Sequence, residues 1–159
     1  MVRRLGLIFL LVGILSGNVT AQENNFGAGI ILGEPTGLSA KLWMDSTKAF
    51  SAALAWSFVD ESSLHMHLDY IEHKFNLINV EKGRMPFYYG IGGRIKLEKN
   101  DPRLGMRFPL GVDYMMEDVK LDFFFEIVPI MDLTPKTEFN MNVAVGFHYS
   151  FGNLINMPD

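Results

Sequence analysis

The chain has 159 residues, no cysteine, 14 basic against 18 acidic side chains and 48% hydrophobic residues, giving a formal net charge of −4. A cysteine-free sequence excludes a disulfide framework and a lipid-modified cysteine anchor. The mildly acidic balance, with no run of one sign, excludes a nucleic-acid surface.

Residues 1–21 read as a secretory signal, with Arg3 and Arg4 at the start, an apolar stretch from Leu5 to Leu15, and the small-residue site Val19-Thr20-Ala21. The apolar stretch is shorter than the roughly 20 residues a spanning helix needs, so cleavage before Gln22 is expected rather than a helical anchor. Cleavage removes two arginines and no acid, which takes the formal charge to −6 and leaves residues 22–159 as a single domain.

From there on the chain alternates with a period of two, the spacing of a strand with one oily face. Turn-forming clusters predict eight strands, at about 26–33, 37–44, 48–58, 63–79, 85–97, 103–114, 119–130 and 138–151. In the third, Phe50, Ala52, Leu54, Trp56 and Phe58 alternate with Ala49, Ser51, Ala53, Ala55 and Ser57. In the sixth, Leu104, Met106, Phe108, Leu110, Val112 and Tyr114 alternate with Arg103, Gly105, Arg107, Pro109, Gly111 and Asp113. Short connections make the arrangement an antiparallel up-and-down meander. Three places resist it. Parity slips between Ile71 and Lys74, where a bulge is expected because Phe75 and Leu77 are out of phase with Tyr70. Pro109 lies inside the sixth strand, where a bulge or break is expected, and Pro129 lies near the predicted end of the seventh.

An alternating barrel can turn its oily face inward, as a lipocalin-like carrier does, or outward toward lipid. The face opposite the oily one carries Gly27, Gly29, Gly33, Ala53, Ala55, Gly90, Gly92, Ala144 and Gly146, which suits the narrow inside of an eight-stranded barrel. The oily face carries Trp56, Tyr70, Phe87, Tyr89, Phe123, Phe125, Phe147, Tyr149 and Phe151, too many large rings for that inside, several of them at strand ends where interfacial girdles sit. The expected fold is therefore all-β, an eight-stranded antiparallel up-and-down transmembrane β-barrel. With the N-terminus in the periplasm, the turns at 45–47, 80–84 and 115–118 fall on that side and the short loops at 34–36, 59–62, 98–102 and 132–137 outside.

Parity then turns Lys41, His65, His67, Asp69, Arg94, Lys96, Arg107, Asp113, Lys120, Asp122, Glu126 and His148 into the lumen. Charges in so narrow a space must pair or stay hydrated, so a polar network that plugs the barrel is expected. His65, His67 and Asp69 offer metal-ligand chemistry, but same-face neighbours on a strand stand about 6.6 Å apart and cannot together chelate one ion unaided. Gly90-x-Gly92-Gly93 lies mid-strand with no following helix, which suits packing rather than a phosphate loop. No catalytic residue, cofactor or metal is expected.

The stretch Phe147-His148-Tyr149-Ser150-Phe151-Gly152-Asn153 resembles the His-x-Ser-Asn segment of the outer-membrane lipid A 3-O-deacylases, which implies a Ser/His/Glu site on a barrel exterior. Here Phe151 stands in the Asn position, no Glu follows, and parity turns His148 and Ser150 inward. Val143, Val145, Phe147, Tyr149 and Phe151 also resemble the C-terminal assembly signal of outer-membrane barrels, with Gly152 to Asp159 following it.

Together the signal, the meander and the aromatic last strand resemble the small eight-stranded outer-membrane barrels, the class of the OmpA transmembrane domain and OmpX. Gly33-Glu34-Pro35-Thr36-Gly37-Leu38-Ser39-Ala40-Lys41, Arg107-Phe108-Pro109-Leu110-Gly111 and Asp122-Phe123-Phe124-Phe125-Glu126 resemble, more narrowly, small outer-membrane barrels to which no activity attaches. The implied protein is exported and non-enzymatic, with a structural or surface-interaction role. Its implied partners are outer-membrane lipid and, during biogenesis, the barrel-assembly machinery. A soluble periplasmic carrier of an apolar ligand, a narrow solute channel and a deacylase-like enzyme are the alternatives.

Overall fold

The computed structural model describes residues 25–57, 63–98 and 101–152; the expected signal sequence at 1–21 and the segment after Gly152 lie outside them. Antiparallel strands run as β1 (Phe26–Gly33), β2 (Thr36–Trp43), β3 (Lys48–Ser57), β4 (Ser63–Lys74), β5 (Phe87–Leu97), β6 (Arg103–Arg107), β7 (Leu110–Met115), β8 (Leu121–Thr134) and β9 (Glu138–Ser150). From β1 to β5 each pairs with the next in the chain, β6 and β7 follow one another without pairing and both lie between β5 and β8, β8 pairs with β9, and β9 pairs with β1, so the sheet closes on itself. Because β6 and β7 share one position, the nine strands of the described residues form a ring of eight staves.

The register fixes the shape of the ring. A rung leaving β4 at Lys74 passes through Phe87, Val112, Phe125, Val145 and Leu32 and crosses the β1–β2 hairpin to Thr36. It then returns through Trp56 to β4 at Leu64, a stagger of ten residues. A stagger of that size tilts eight staves by about 40° and leaves an interior just wide enough for side chains to fill. We call the end holding Phe26 and Phe151 the lower end and the end holding Gly33 and Asp132 the upper.

The break between β6 and β7 falls at Phe108-Pro109, where the sequence led us to expect one. Phe108 donates its amide to the Pro129 carbonyl at 3.0 Å, and Pro129 has no N–H to return the bond. Gly90 likewise donates to the Pro109 carbonyl at 3.0 Å. Both proline gaps thus fall at one discontinuity, and the β6–β8 ladder shifts register once more between Leu104 and Gly105.

Three expectations need correction. No bulge occurs between Ile71 and Lys74: Ile71 and His73 continue the inward series of His65, His67 and Asp69, and the strand ends at Lys74 instead of running to 79. Phe75 then packs against the buried cluster from the turn, so its phase belongs to the connection and not to the strand. The connection from β4 to β5 spans residues 75–86. It is tied to the barrel by pairing of Arg84 with Met115 and by a hydrogen bond from the Tyr114 hydroxyl to the Lys82 carbonyl at 3.3 Å. Gly83 turns it at φ 73°, a left-handed conformation that glycine adopts without Cβ strain. Finally, β8 extends to Thr134, which places Pro129 well inside the strand and moves Asp132 from a predicted loop into the ladder.

Side chains obey the alternation throughout. Leu38, Leu54, Leu68, Ile91, Leu104, Phe123, Val143 and Tyr149 point outward, and Leu38 keeps 62% and Leu68 55% of its surface exposed. Inside, Ile31, Trp43, Ala49, Ile71, Tyr88, Met115 and Phe124 make an apolar cluster weighted to the lower half. Outward rings collect near the lower end: Phe26 with Phe151 at 6.1 Å, Phe123 with Phe147 at 6.2 Å, Phe50 with Tyr70 at 5.4 Å and Phe87 with Tyr89 at 6.4 Å.

Candidate functional site in the barrel lumen

The interior holds the charge. Lys41, His65, His67, Asp69, Arg94, Lys96, Arg107, Asp113, Asp122, Glu126 and His148 are all buried, as parity placed them. Lys120 is the exception: it stands exposed in the turn before β8, where its backbone carbonyl accepts the Ser150 amide at 2.9 Å. Strand parity was extended two residues too far there, since β8 begins at Leu121.

At the lower end Lys41 reaches Asp113 on β7 and Asp122 on β8, the latter at 3.3 Å. His73 joins from β4, its Nε2 at 2.9 Å from Asp113 and its Nδ1 at 3.1 Å from the Thr47 carbonyl. Both partners are hydrogen-bond acceptors. Trp43 tilts over His73 with ring centroids 4.3 Å apart, and the Lys41 ammonium lies 5.6 Å from the Trp43 ring and 5.8 Å from that of Tyr88. His148 completes this cluster. Ser39 Oγ lies 2.8 Å from its Nε2, Phe124 stacks on the ring at 4.9 Å, and Asp122 accepts its backbone amide at 3.0 Å.

Halfway up, Arg107 is fully enclosed. Its Nε donates to both oxygens of Asp69 at 3.0 and 3.1 Å, and its Nη2 stands 3.5 Å from Glu126. Tyr88 donates its hydroxyl to the other Glu126 oxygen at 3.0 Å. Gly92 makes room for this pairing, because a Cβ there would collide with the Asp69 carboxylate and the Leu68 carbonyl.

Toward the upper end Arg94 grips Asp132 with Nε at 2.9 Å and with Nη2, and Asn140 donates to the same carboxylate at 2.8 Å. The mouth carries Lys96 at 3.1 Å and Arg103 at 3.2 Å from Glu98, with Glu138 at 2.9 Å from Arg103. Burial works against the Glu98 charge, but the Lys96 hydrogen bond and the charges of Lys96 and Arg103 hold its carboxyl below the usual glutamate range. At the lower turn the Thr47 amide, with that of Lys48, holds the exposed Asp45 carboxyl low in the same way.

His65 and His67 meet ring edge to ring face with centroids 5.5 Å apart, and His67 Nε2 lies 3.8 Å from Asp69, beyond hydrogen-bond reach. Among the described residues no group of three or more His, Asp and Glu is placed to hold a metal ion. Ser39, His148 and Asp122 follow the order of a hydrolytic triad. However, His148 Nδ1, 3.2 Å from Asp122, makes no well-aligned hydrogen bond, Asp122 is shared with Lys41, and all three are buried. Ser150 takes no part in it.

Sequence reasoning missed Ser39, His73, Tyr88, Asp132 and Asn142. Ser39 and His73 share the parity of Lys41 and His67, so continuing the two-residue count would have found both. Asp132 was hidden by its turn-like setting between Pro129 and Pro135.

These features define the class: a closed antiparallel β-barrel with an oily exterior and an ion-paired interior. In a comparison with solved structures, the chain is similar to the crystal structure of the N-terminal β-barrel domain of Pseudomonas aeruginosa OprF. The TM-score is 0.53 at 13% identity, over 80% of this chain and 100% of that one. No family model and no curated protein sequence matches the chain.

Proposed function

We propose that the protein is an integral outer-membrane β-barrel, exported by residues 1–21, with a structural or surface-interaction role and a lumen sealed by its own ion pairs. The observation that carries this reading is the inversion of polarity. Leucines and aromatic rings cover the outside, while Arg107, Asp113 and Asp132 are among the most completely buried side chains. A water-facing barrel built this way would expose apolar surface on all sides, which monomeric soluble proteins rarely do.

Dimensions support it. From Phe123 to Leu133 on β8 is about 33 Å of strand, and a tilt of about 40° reduces this to about 25 Å, the height of an outer-membrane apolar band. The lower ring of aromatics then sits at the periplasmic interface, in contact with lipid headgroups. The outward series Val143, Val145, Phe147, Tyr149 and Phe151 is the surface offered to the barrel-assembly machinery. An apolar-ligand carrier is disfavoured because the interior holds Arg107 with Asp69 and Glu126 where such a ligand would lie. The same residues bar an ion path.

The test is fractionation of the producing cells. The mature protein is expected in outer membranes after alkaline carbonate washing and to require detergent for release. Recovery in the soluble periplasmic fraction would overturn the proposal.

A further inference from the structure

The outer wall of the barrel is not uniform. Leu68 on β4, Gly93 on β5 and Met106 on β6 share one outward rung, and its middle position has no side chain. A Cβ at Gly93 would meet nothing nearer than the Gly105 carbonyl at 3.8 Å, whereas one at the inward Gly90, Gly92, Gly105 or Gly111 would collide with backbone or side chain. Packing in the wall therefore does not require glycine at position 93. Beside it the β6–β8 ladder shifts register: Leu104 pairs with Thr134 and Gly105 with Asp132, which leaves Leu133 as the extra residue of a bulge on β8. The missing side chain and the bulge together leave a groove of about 560 Å³ on the outer face, within the roughly 300–1,000 Å³ of small-molecule sites. Its walls are Met66, Leu68, Ile95, Leu104 and Leu133, and the inward-turned His67, Arg94 and Gly105 floor it.

The groove runs through the upper half of the wall. A ten-residue stagger spread over eight staves makes a rung climb a little more than one residue per stave. Gly93 shares its rung with Met131 two staves away, so it stands level with a point about two to three residues below Met131 on β8, near the midpoint of the span from Phe123 to Leu133. Leu133 is the top of that span. The groove thus covers about 12 Å, half of an apolar band of about 25 Å and the depth of one leaflet. Every strand at this place is paired on both sides, so no further strand can add to it. Two convex barrel walls touch along a line, so the wall of a second copy does not reach the floor of a recess. At the rim above, Arg103 and Lys136 are already engaged with Glu98 and Glu138, so no headgroup charge is called for. We propose that the groove seats one acyl chain of an outer-leaflet membrane lipid, held by its hydrocarbon and not by its headgroup. The inference rests on reading the barrel as membrane-spanning with its upper end outside.

The test places the mature, detergent-folded protein in nanodiscs of dipalmitoyl phosphatidylglycerol or of dipalmitoyl phosphatidylcholine, extracts it into detergent and counts retained lipid by native mass spectrometry. One adduct should survive extraction with either lipid. Gly93→Leu fills the groove without touching the lumen and should lower the lipid-bound fraction about tenfold or more, since about two buried methylenes already account for that factor. Ala40→Leu, the same enlargement on the outward face of β2, should leave the fraction unchanged. In the parent, nuclear Overhauser contacts from lipid methylenes should reach the methyl groups of Leu68, Ile95, Leu104 and Leu133. Equal adducts on the parent and Gly93→Leu would overturn the site, as would an adduct with one headgroup only. Should Gly93→Leu not fold, the parent decides alone: methylene contacts to other outward methyl groups and none to these four would overturn it. A heat-modifiable barrel that retains no lipid removes the groove and leaves the membrane reading standing, whereas a chain with no compact heat-sensitive form in detergent removes both.

Discussion

Arg107 is the side chain on which the middle of the lumen depends. It neutralises Asp69 and Glu126 while having no exposure of its own, so its removal strands two carboxylates in a region water does not reach. Arg107→Ala should cost about 3–5 kcal/mol, the penalty for breaking a buried ion pair. The triple variant Arg107→Met, Asp69→Leu, Glu126→Leu should recover most of it, because no charge is left without a partner. Urea titration of the detergent-folded protein measures both, and a single variant as stable as the parent would contradict the assignment. At the mouth, Glu98 has its carboxyl held low in the folded state. Its contribution is thus complete above the ordinary glutamate pKa and lost as pH falls through the lowered value. Stability measured from neutral to acidic pH should therefore fall less steeply in Glu98→Gln than in the parent, and identical slopes would remove Glu98 from the account.

At the scale of elements, the β6–β7 break is where two prolines spend their missing amides. Pro129→Val supplies an N–H opposite Phe108 and suits the outward face, so it should stabilise the barrel by about 0.5–1.5 kcal/mol, the net worth of one hydrogen bond. Slower hydrogen exchange at position 129 than at other stave centres would accompany the gain; an unchanged urea midpoint would show that the discontinuity is held open by something else. The strands themselves were legible because period-two alternation reports a face directly, and Pro109 announced the break. Strand ends were less legible. Phe75 and Leu77 imitate a continuing strand of opposite phase, and Asp132-x-Thr134-Pro135 imitates a turn, because local composition does not reveal whether a residue is still paired across the ladder.

For the whole molecule, parity divided the chain into outside and inside, and most of the lumen set followed from it. What parity could not supply was the pairing, since that depends on the ten-residue stagger. Lys41 meets Asp113 and Asp122 across the barrel, 72 and 81 residues away in sequence. It also could not show that Trp43, Tyr88 and Phe124 pack together in the lower lumen while Arg107 and Arg94 pair with Asp69, Glu126 and Asp132 above them. A closed barrel with every strand paired has no edge from which detergent can unzip it, so it should resist SDS until heated. The measurement that bears most directly on the central claim is therefore heat-modifiability: residues 22–159 are folded in detergent and run on an SDS gel with and without boiling. The account predicts a fast-migrating compact band that converts to the slower unfolded band only on boiling. A chain that dissolves without detergent and runs at one position regardless of heating would contradict it.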